Sequence, residues 1–595
     1  MKISRRDLLK LGTYSTILIT SSGLHGCRLD SGDYSFDHGV ASGDPLQDRV
    51  VIWTRVTPAE GEHVTVSWQV ATDEAFTQLV NEDSTGVDAT RDFTVKVDVQ
   101  GLEPNRTYYY RFKAGQSESP VGRTKTLPLD PVSVRLAVIS CSNYPAGYFN
   151  VYRELSNTEE LDAIVHLGDY IYEYGRTEAD GSPAYASEDA ETLGRLVEPA
   201  NELLTLDDYR NRYAQYRRDP DLQAAHAKHP FIAVWDDHEV ANDTYISGAE
   251  NHDEATEGSF EARKQAAIQA YFEWLPLRPL QPDAEGRIYR QFEFGNLVNL
   301  MMLDTRIIGR DRQLSYADYI DPLSGDFDAS AFTLDMSSSS RTLLGASQLA
   351  WLSDRMNYST ATWHVLGQQV LMMRMLLPAV TLTPDPLAPT VTLAEYGAIA
   401  TAAITYQTLV AMGIDGSDPA ALIGAGMTVE QLAIINDPVQ MAYLESPFIP
   451  YNLDAWDGYA YDRELILANA KAGMKNLVSL AGDTHNAWAG RLTDAGGDTV
   501  GIEFATTSVS SPGLEEYLGI ATAEEARATE TGITQLVSDL DYCNLRERGL
   551  LIVTFTPDRA MAEWRFVDTI KQESYQTVTE VEKTLTLNAG GTVLV

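Results

Sequence analysis

Residues 231–239 read FIAVWDDHE: five apolar residues, then two acids, a histidine and a third acid. A short apolar run that ends this abruptly reads as a buried strand leading into a loop of chemically active side chains. Three other segments share the form. VRLAVIS (134–140) runs into Cys141, AIVHLG (163–168) into Asp169 with Tyr172 three residues later, and NLVSLAG (476–482) into Asp483-Thr484-His485. Helical stretches such as 260–274 alternate with such strands, which is the pattern of an α/β sheet. In open α/β sheets, sites form at the carboxyl ends of strands, where separate loops converge. One acid after a strand means little; four strand ends carrying Cys, Asp, Tyr and His together point to a single site.

N-terminal to this region the pattern differs. VVIWTRV (50–56), VTVSWQVAT (64–72), FTVKVDV (93–99) and TYYYRFKA (107–114) alternate apolar and polar residues, with turn residues between them. This predicts an antiparallel β-sandwich over 36–127. The segment Gly101-Leu102-Glu103-Pro104 before Tyr108 has the form of a fibronectin-type corner, in which a tyrosine hydroxyl ties a turn. Pro128 and Pro131 stiffen a short linker. The α/β unit is expected over 132–570, with 571–595 as a C-terminal tail. Residues 376–450 are rich in Ala, Leu, Thr and Pro, and a helical apolar run lies near 396–412. They read as an insertion packed beside the catalytic unit, over or near its entrance.

The chain has 595 residues, enough for two to four domains at about 150 residues each. Forty-five Lys and Arg against 85 Asp and Glu leave a net charge of −40. A surface this acidic repels nucleic-acid phosphates, so no broad nucleic-acid surface is expected; anionic substrates need a site where metal ions reverse the field. No Walker loop, dinucleotide fingerprint or Gly-x-Ser-x-Gly elbow is present, which removes the main support for kinase, dehydrogenase and serine-esterase readings.

The strand-end residues suit a multinuclear metal site. A carboxylate shared by two cations holds them about 3.5–4 Å apart, the spacing that activates water and stabilises a leaving oxygen in phosphoryl transfer. Asp169, between a Cys–Tyr cluster and the other acids, is the bridging candidate. A thiolate from Cys141 and a phenolate from Tyr172 on one ion favour ferric iron, and Asp237 and Asp483 suit calcium. Asp-x-His places Asp483 and His485 on one loop. Two residues bear on the substrate. Asn242 either donates to a phosphate oxygen or makes a turn, and Arg306 either grips phosphate as a fork or forms a salt bridge. His166 lies within its strand and reads as structural, and Cys543 as a plain packed or surface thiol.

As an ordered set, FDHGVASGDPLQDRVVIWTRV (36–56), SCSNY (140–144), HLGDYIYEYG (166–175), VWDDHEVANDTY (234–245), LDTRIIGRDRQ (303–313), VLGQQV (365–370) and AGDTHNAW (481–488) carry a resemblance. The sequence is similar to the PhoD-type alkaline phosphatases, a branch of the calcineurin-like metallophosphoesterases. The fold this implies is α/β: an N-terminal fibronectin-like β-sandwich, then a metallophosphoesterase catalytic domain built as a β-sandwich with flanking helices. The resemblance implies Cys141, Asp169, Tyr172 and His485 around iron, and Asp169, Asp237 and Asp483 around calcium, with an oxygen from Gln368 or Gln369. His238 is expected to face the substrate phosphate and steady the departing oxygen, with Asp169 beside it in catalysis. The implied activity is hydrolysis of extracytoplasmic phosphate monoesters or diesters by in-line attack of a metal-bound hydroxide, serving phosphate scavenging. Two other readings stand beside it: a phospholipase D-like phosphodiesterase, and a non-catalytic, metal-stabilised binding lipoprotein.

Residues 4–10, SRRDLLK, precede a modest apolar run from Leu11 to Leu24, the form of a twin-arginine export signal. Leu24-His25-Gly26-Cys27 resembles a lipobox with Cys27 as the lipidated residue. Residues 1–27 are therefore expected to address the chain, as a monomer with its metal already inserted, to the twin-arginine machinery. The destination is the periplasm or the cell surface, either as a soluble form or attached to the membrane through a lipid on Cys27.

Overall fold

The computed structural model describes residues 34–595, apart from 59–62, 179, 279–285, 322, 324–326 and 383–390. The export signal and Cys27 lie outside the described residues.

Two mixed sheets face one another. The first has nine strands in the order Lys583–Asn588, Arg559–Val567, Arg548–Phe555, Val134–Ile139, Ala163–His166, Pro230–Ala233, Val40–Gly43, Arg49–Arg55 and Thr94–Gln100. Its four central strands, Val134–Ile139 through Val40–Gly43, run parallel. The second has seven strands and a parallel centre of Val298–Met302, Trp363–Gly367, Asn476–Ala481 and Thr499–Ala505. Strands buried on both faces need apolar residues at every position, which is why AIVH and PFIA do not alternate.

One hydrophobic core joins the sheets: Leu136, Ile164 and Ile232 meet Leu300, Val365, Val478 and Phe504. Helices Asn150–Asn157, Leu206–Tyr216, Pro220–Lys228 and Phe260–Trp274 cover the first sheet through Leu155, Tyr213, Leu222 and Tyr271. Helices Gly345–Tyr358 and Ala460–Ala472 cover the second through Leu352, Met356, Ile466 and Leu467. The layers are therefore helix, sheet, sheet, helix. Local signals set the helix starts. Asp219 accepts the amides of Asp221 and Leu222 ahead of Pro220, which cannot donate an amide. Thr205 and Asp208 form a reciprocal capping box.

The N-terminal region is less separate than its sequence suggests. Gly122–Lys125, Thr107–Ala114, His63–Ala71 and Leu79–Asp88, with the short strand Ser117–Glu118, form their own sheet. The layer opposite it is the far edge of the nine-stranded sheet. Val50, Ile52, Val95 and Val99 face the small sheet, while Ala41 and Trp53 point into the main core. The parallel pairing of Ser42 with Pro230 and Gly43 with Phe231 makes the sheet continuous across the Pro128–Pro131 segment. The tyrosine corner is present: the Tyr108 hydroxyl accepts the Glu103 amide at 2.8 Å.

Residues 571–595, read from sequence as a tail, supply the outermost strand of the nine, with Leu585 and Leu587 buried. The 376–450 insertion leaves and returns at one point, where Leu376–Pro378 pairs antiparallel with Phe448–Pro450. Its long helix, Leu393–Ala411, starts at a Thr392/Glu395 capping box. Leu409, Leu422 and Met427 form a small core of its own. Among the described residues no helix is long and apolar enough to cross a membrane.

Candidate metal centre and active site

The parallel strands of the two sheets end at one place. Val134–Ile139 delivers Cys141, Ala163–His166 delivers Asp169, Pro230–Ala233 delivers Asp236, Asp237 and His238, and Asn476–Ala481 delivers Asp483 and His485. Each chain must turn sharply on leaving its strand. Cys141, Asp169, Asp483 and His485 all adopt left-handed backbone, with φ of 61°, 53°, 63° and 64°. Such conformations cost on the order of 1–3 kcal/mol each for a side-chain-bearing residue and persist only where the surroundings enforce them. Here hydrogen bonds between the loops do so. Cys141 N donates to Gly168 O at 3.1 Å, and Gly482 N to Gln369 O at 2.7 Å. Gly168 itself has φ 110°, and a Cβ there would lie 2.4 Å from the Asp236 Cβ.

The metal-competent atoms form three overlapping groups, each with its ligand atoms within 4.8 Å of one another: Cys141, Asp169 and His485; Asp169, Asp237 and His238; and Asp236, Asp237 and Asp483. Asp169 belongs to the first two groups, as expected of a bridge. The Tyr172 hydroxyl joins the first: it donates to Asp169 Oδ2 at 2.9 Å and lies 3.2 Å from His485 Nε2. His485 Nδ1 is 2.5 Å from Pro512 O, which orients the ring and leaves Nε2 facing the group.

The electrostatics of the bare cluster are unfavourable. Burial first, then Asp237, Asp236 and Glu239, push the Asp169 carboxyl far above its ordinary range against the opposing pull of His238. Asp483 is pushed the same way by burial, Asp236 and Asp454, with Arg306 opposing. Burial raises the Cys141 thiol and the Tyr172 phenol as well, and lowers His485 to about 3. Asp169 Oδ1 is buried without a hydrogen-bond partner. Thiol, phenol, imidazole and carboxylates around an orphaned carboxylate oxygen fit multivalent cations, whose charge inverts these preferences.

His238 stands at the edge of this cluster. Its Nδ1 is 2.7 Å from Glu173 Oε2, and Glu173 Oε1 accepts the amide of Asn242 at 2.7 Å. Burial alone would lower the imidazole pKa, but Asp237, Glu173 and Asp169 outweigh it and push it well above the ordinary range. Tyr172 and Tyr174 flank it at ring-centroid distances of 4.2 and 5.4 Å.

Several expectations change. Arg306 is fully enclosed, and its guanidinium contacts Asp236 at 2.5 Å, Asp454 at 2.8 Å and Asp483 at 3.2 Å. The salt-bridge alternative is the one realised. The Asn242 side chain donates to Glu250 at 3.0 Å, so its amide is turned to that carboxylate. Gln368 Oε1 accepts Trp456 Nε1, and Gln369 Oε1 accepts the Thr305 hydroxyl. Two readings hold: His166 sits in its strand 3.0 Å from the Tyr152 hydroxyl, and Cys543 packs in the second sheet's outer core.

Four residues that matter here escaped the sequence reading. Glu173 orients His238. Glu239 accepts the amides of Asp169, Tyr170 and Asp236 and so clasps two strand ends together. Ser511 Oγ lies 2.6 Å from the Tyr172 hydroxyl and 3.0 Å from Cys141 O. Asp454 takes Arg306 and Arg310. Glu173 and Glu239 lie within the quoted motifs 166–175 and 234–245 but were given no role, and Ser511 and Asp454 lie in stretches with no local signal.

Comparison with known proteins agrees with this geometry. Residues 136–564 match the PhoD-like phosphatase family, and residues 22–128 match the PhoD-like phosphatase N-terminal domain. Alkaline phosphatase D of Bacillus subtilis (strain 168) is 34% identical over 551 residues, spanning 89% of this chain and 77% of that protein. A solved structure described as PhoD superposes with a TM-score of 0.69 at 30% identity, covering 94% of this chain and 91% of that one. The chain belongs to the PhoD-like phosphatase family and is a phosphoesterase.

Proposed function

We propose that the protein is an exported, metal-dependent alkaline phosphatase and phosphodiesterase that releases phosphate from esters outside the cytoplasm. The observation that carries the metal dependence is the set of three overlapping ligand groups sharing Asp169 and Asp237. Cys141, Asp169, Tyr172 and His485 would hold ferric iron, because a thiol and a phenol ionise readily only on a strongly Lewis-acidic ion. Asp169, Asp237 and Asp483 would hold calcium, which favours carboxylate oxygens. When bound, these ions supply Lewis acidity and a water activated near neutral pH.

The chain's own residues do the rest. Asp169 bridges the two ligand sets. Glu173 fixes the His238 ring through Nδ1, which leaves Nε2 to hold a proton for the departing ester oxygen. Arg306 keeps Asp236 and Asp483 apart and part-neutralised, so the acids hold their positions. Export through the twin-arginine machinery, with Cys27 as a lipid-attachment point, follows from the sequence of residues 1–27.

The test is hydrolysis of 4-nitrophenyl phosphate and bis(4-nitrophenyl) phosphate by natively exported protein, with metal analysis. Iron and calcium in the protein, activity abolished by a calcium-selective chelator and restored by calcium, and an inactive Asp169→Asn variant are expected. Zinc or magnesium alone in active protein would falsify the iron–calcium assignment.

A further inference from the structure

The aromatic rings around His238 continue outward from the metal centre. Tyr172 and Tyr174, which flank the imidazole, both also contact Tyr185, at ring-centroid distances of 6.2 and 5.5 Å. Tyr172 is buried, whereas Tyr174 and Tyr185 are half-buried. The Tyr185 hydroxyl stands within hydrogen-bonding reach of the Tyr517 hydroxyl, and Tyr517 lies within electrostatic range of His238. Tyr517 itself is 73% exposed. An aromatic wall therefore runs from the reaction centre through Tyr174 and Tyr185 to Tyr517 at the surface.

This wall is tied to the ligand loops. The Tyr185 hydroxyl donates to Pro512 O at 3.4 Å, the same carbonyl that orients His485. The segment carrying Tyr517 is anchored by Val509 N, which donates to Ser140 O at 2.9 Å, and by Leu514 N, which donates to Asn486 Oδ1 at 2.9 Å. These anchors are made by backbone and hydroxyl groups, so they do not use the ring faces. Arg548, the cation within range of Tyr185, is taken by Glu515. What the wall offers a substrate is therefore aromatic surface held at a fixed place, and not charge.

We propose that this wall is the leaving-group subsite, and that Tyr174, Tyr185 and Tyr517 select esters whose leaving alcohol carries a flat aromatic ring over saturated ones of the same size; this rests on the placement of the departing ester oxygen beside His238 given above. A group attached to that oxygen lies next to the rings that flank the imidazole, Tyr174 first and Tyr185 beyond it. A saturated ring gains only from leaving water there. A flat ring gains in addition from offset or edge-to-face contact between ring quadrupoles. Tyr517, outside the ligand groups and at the outer end of the wall, is the specificity-determining residue.

The experiment measures competitive inhibition of 4-nitrophenyl phosphate hydrolysis by benzylphosphonate and by cyclohexylmethylphosphonate, on metal-loaded, exported protein at a pH where both are dianions. A methylene group replaces the ester oxygen in each, so neither is cleaved, and the two differ only in whether the ring is flat. Burial of apolar surface alone favours the cyclohexyl compound, which has the larger apolar area. Benzylphosphonate is nevertheless expected to bind about fivefold more tightly. Tyr517→Leu keeps apolar bulk at an exposed position and is expected to bring that preference down to about twofold or less. A wild-type preference below about twofold overturns the proposal. So does a preference that Tyr517→Leu and Tyr185→Leu both leave intact, since ring recognition then lies elsewhere. If 4-nitrophenyl phosphate is hydrolysed but neither phosphonate competes, the subsite fails while the phosphatase reading stands. If it is not hydrolysed, that reading fails and the subsite falls with it.

Discussion

Glu173 Oε2 lies 2.7 Å from His238 Nδ1, and both side chains are enclosed beside the ligand groups. This pair fixes which imidazole nitrogen can serve the substrate. Glu173→Gln keeps the shape but removes a charge that raises the pKa of the ring. We expect kcat to fall about 10²-fold, within the range for a lost general acid, with metal content unchanged by elemental analysis. Loss of metal together with activity would instead make Glu173 a structural support of the ligand loops.

Metal removal should cost stability in a pH-dependent way. Without bound cations Asp236 is pushed up to about 7 and Glu239 to about 8, chiefly by burial, and Asp169 and Asp483 are pushed well above the ordinary carboxyl range in the same way. A carboxyl whose folded pKa is raised destabilises the fold as pH climbs from the unfolded value through the folded one. Bound cations hold these groups ionised and cancel that loss. The gap in Tm between metal-loaded and chelated protein is therefore expected to widen from pH 7 to pH 9. A gap that is constant or narrows on alkalisation contradicts this.

Gly168→Ala places a methyl group 2.4 Å from the Asp236 Cβ and 2.5 Å from its amide nitrogen, at a φ that favours glycine. The expected penalty is roughly 2–4 kcal/mol from combined strain and overpacking. Chemical denaturation should register it, and metal content should fall because the Asp169 and Asp236 loops are forced apart.

Tyr108→Phe serves as a stability change remote from the chemistry. It leaves the Glu103 amide without its acceptor at 2.8 Å. Denaturation should show a loss of about 1 kcal/mol, and kcat of the folded protein should match wild type. A fall in kcat would reveal that the N-terminal sheet influences the site through the Ser42–Pro230 pairing.

The pieces of the site were legible because chemistry and strand pattern coincide in the chain. Cys141, Asp169, Tyr172, Asp237, Asp483 and His485 each follow a short apolar run directly, or by a few residues, and the structure brings all six together. Residues that act through another side chain were not. Ser511 reaches Tyr172 across 339 positions, and Asp454 reaches Arg306 across 148. For Arg306 and Asn242 the sequence offered two partners each, phosphate or protein. The burial of one and the neighbouring Glu250 of the other are tertiary facts.

The sequence by itself determined the strands, their polar ends, the long insertion helix and the corner at Tyr108, because apolar period and turn chemistry are local properties. Only the tertiary structure decided that Val40–Gly43 pairs beside Pro230–Ala233, that the last residues form an edge strand, and that Glu239 clasps two loops. An alternating strand shows which of its faces is apolar but carries no mark of its neighbour. Pairing is settled by which surfaces remain uncovered once the whole chain has packed.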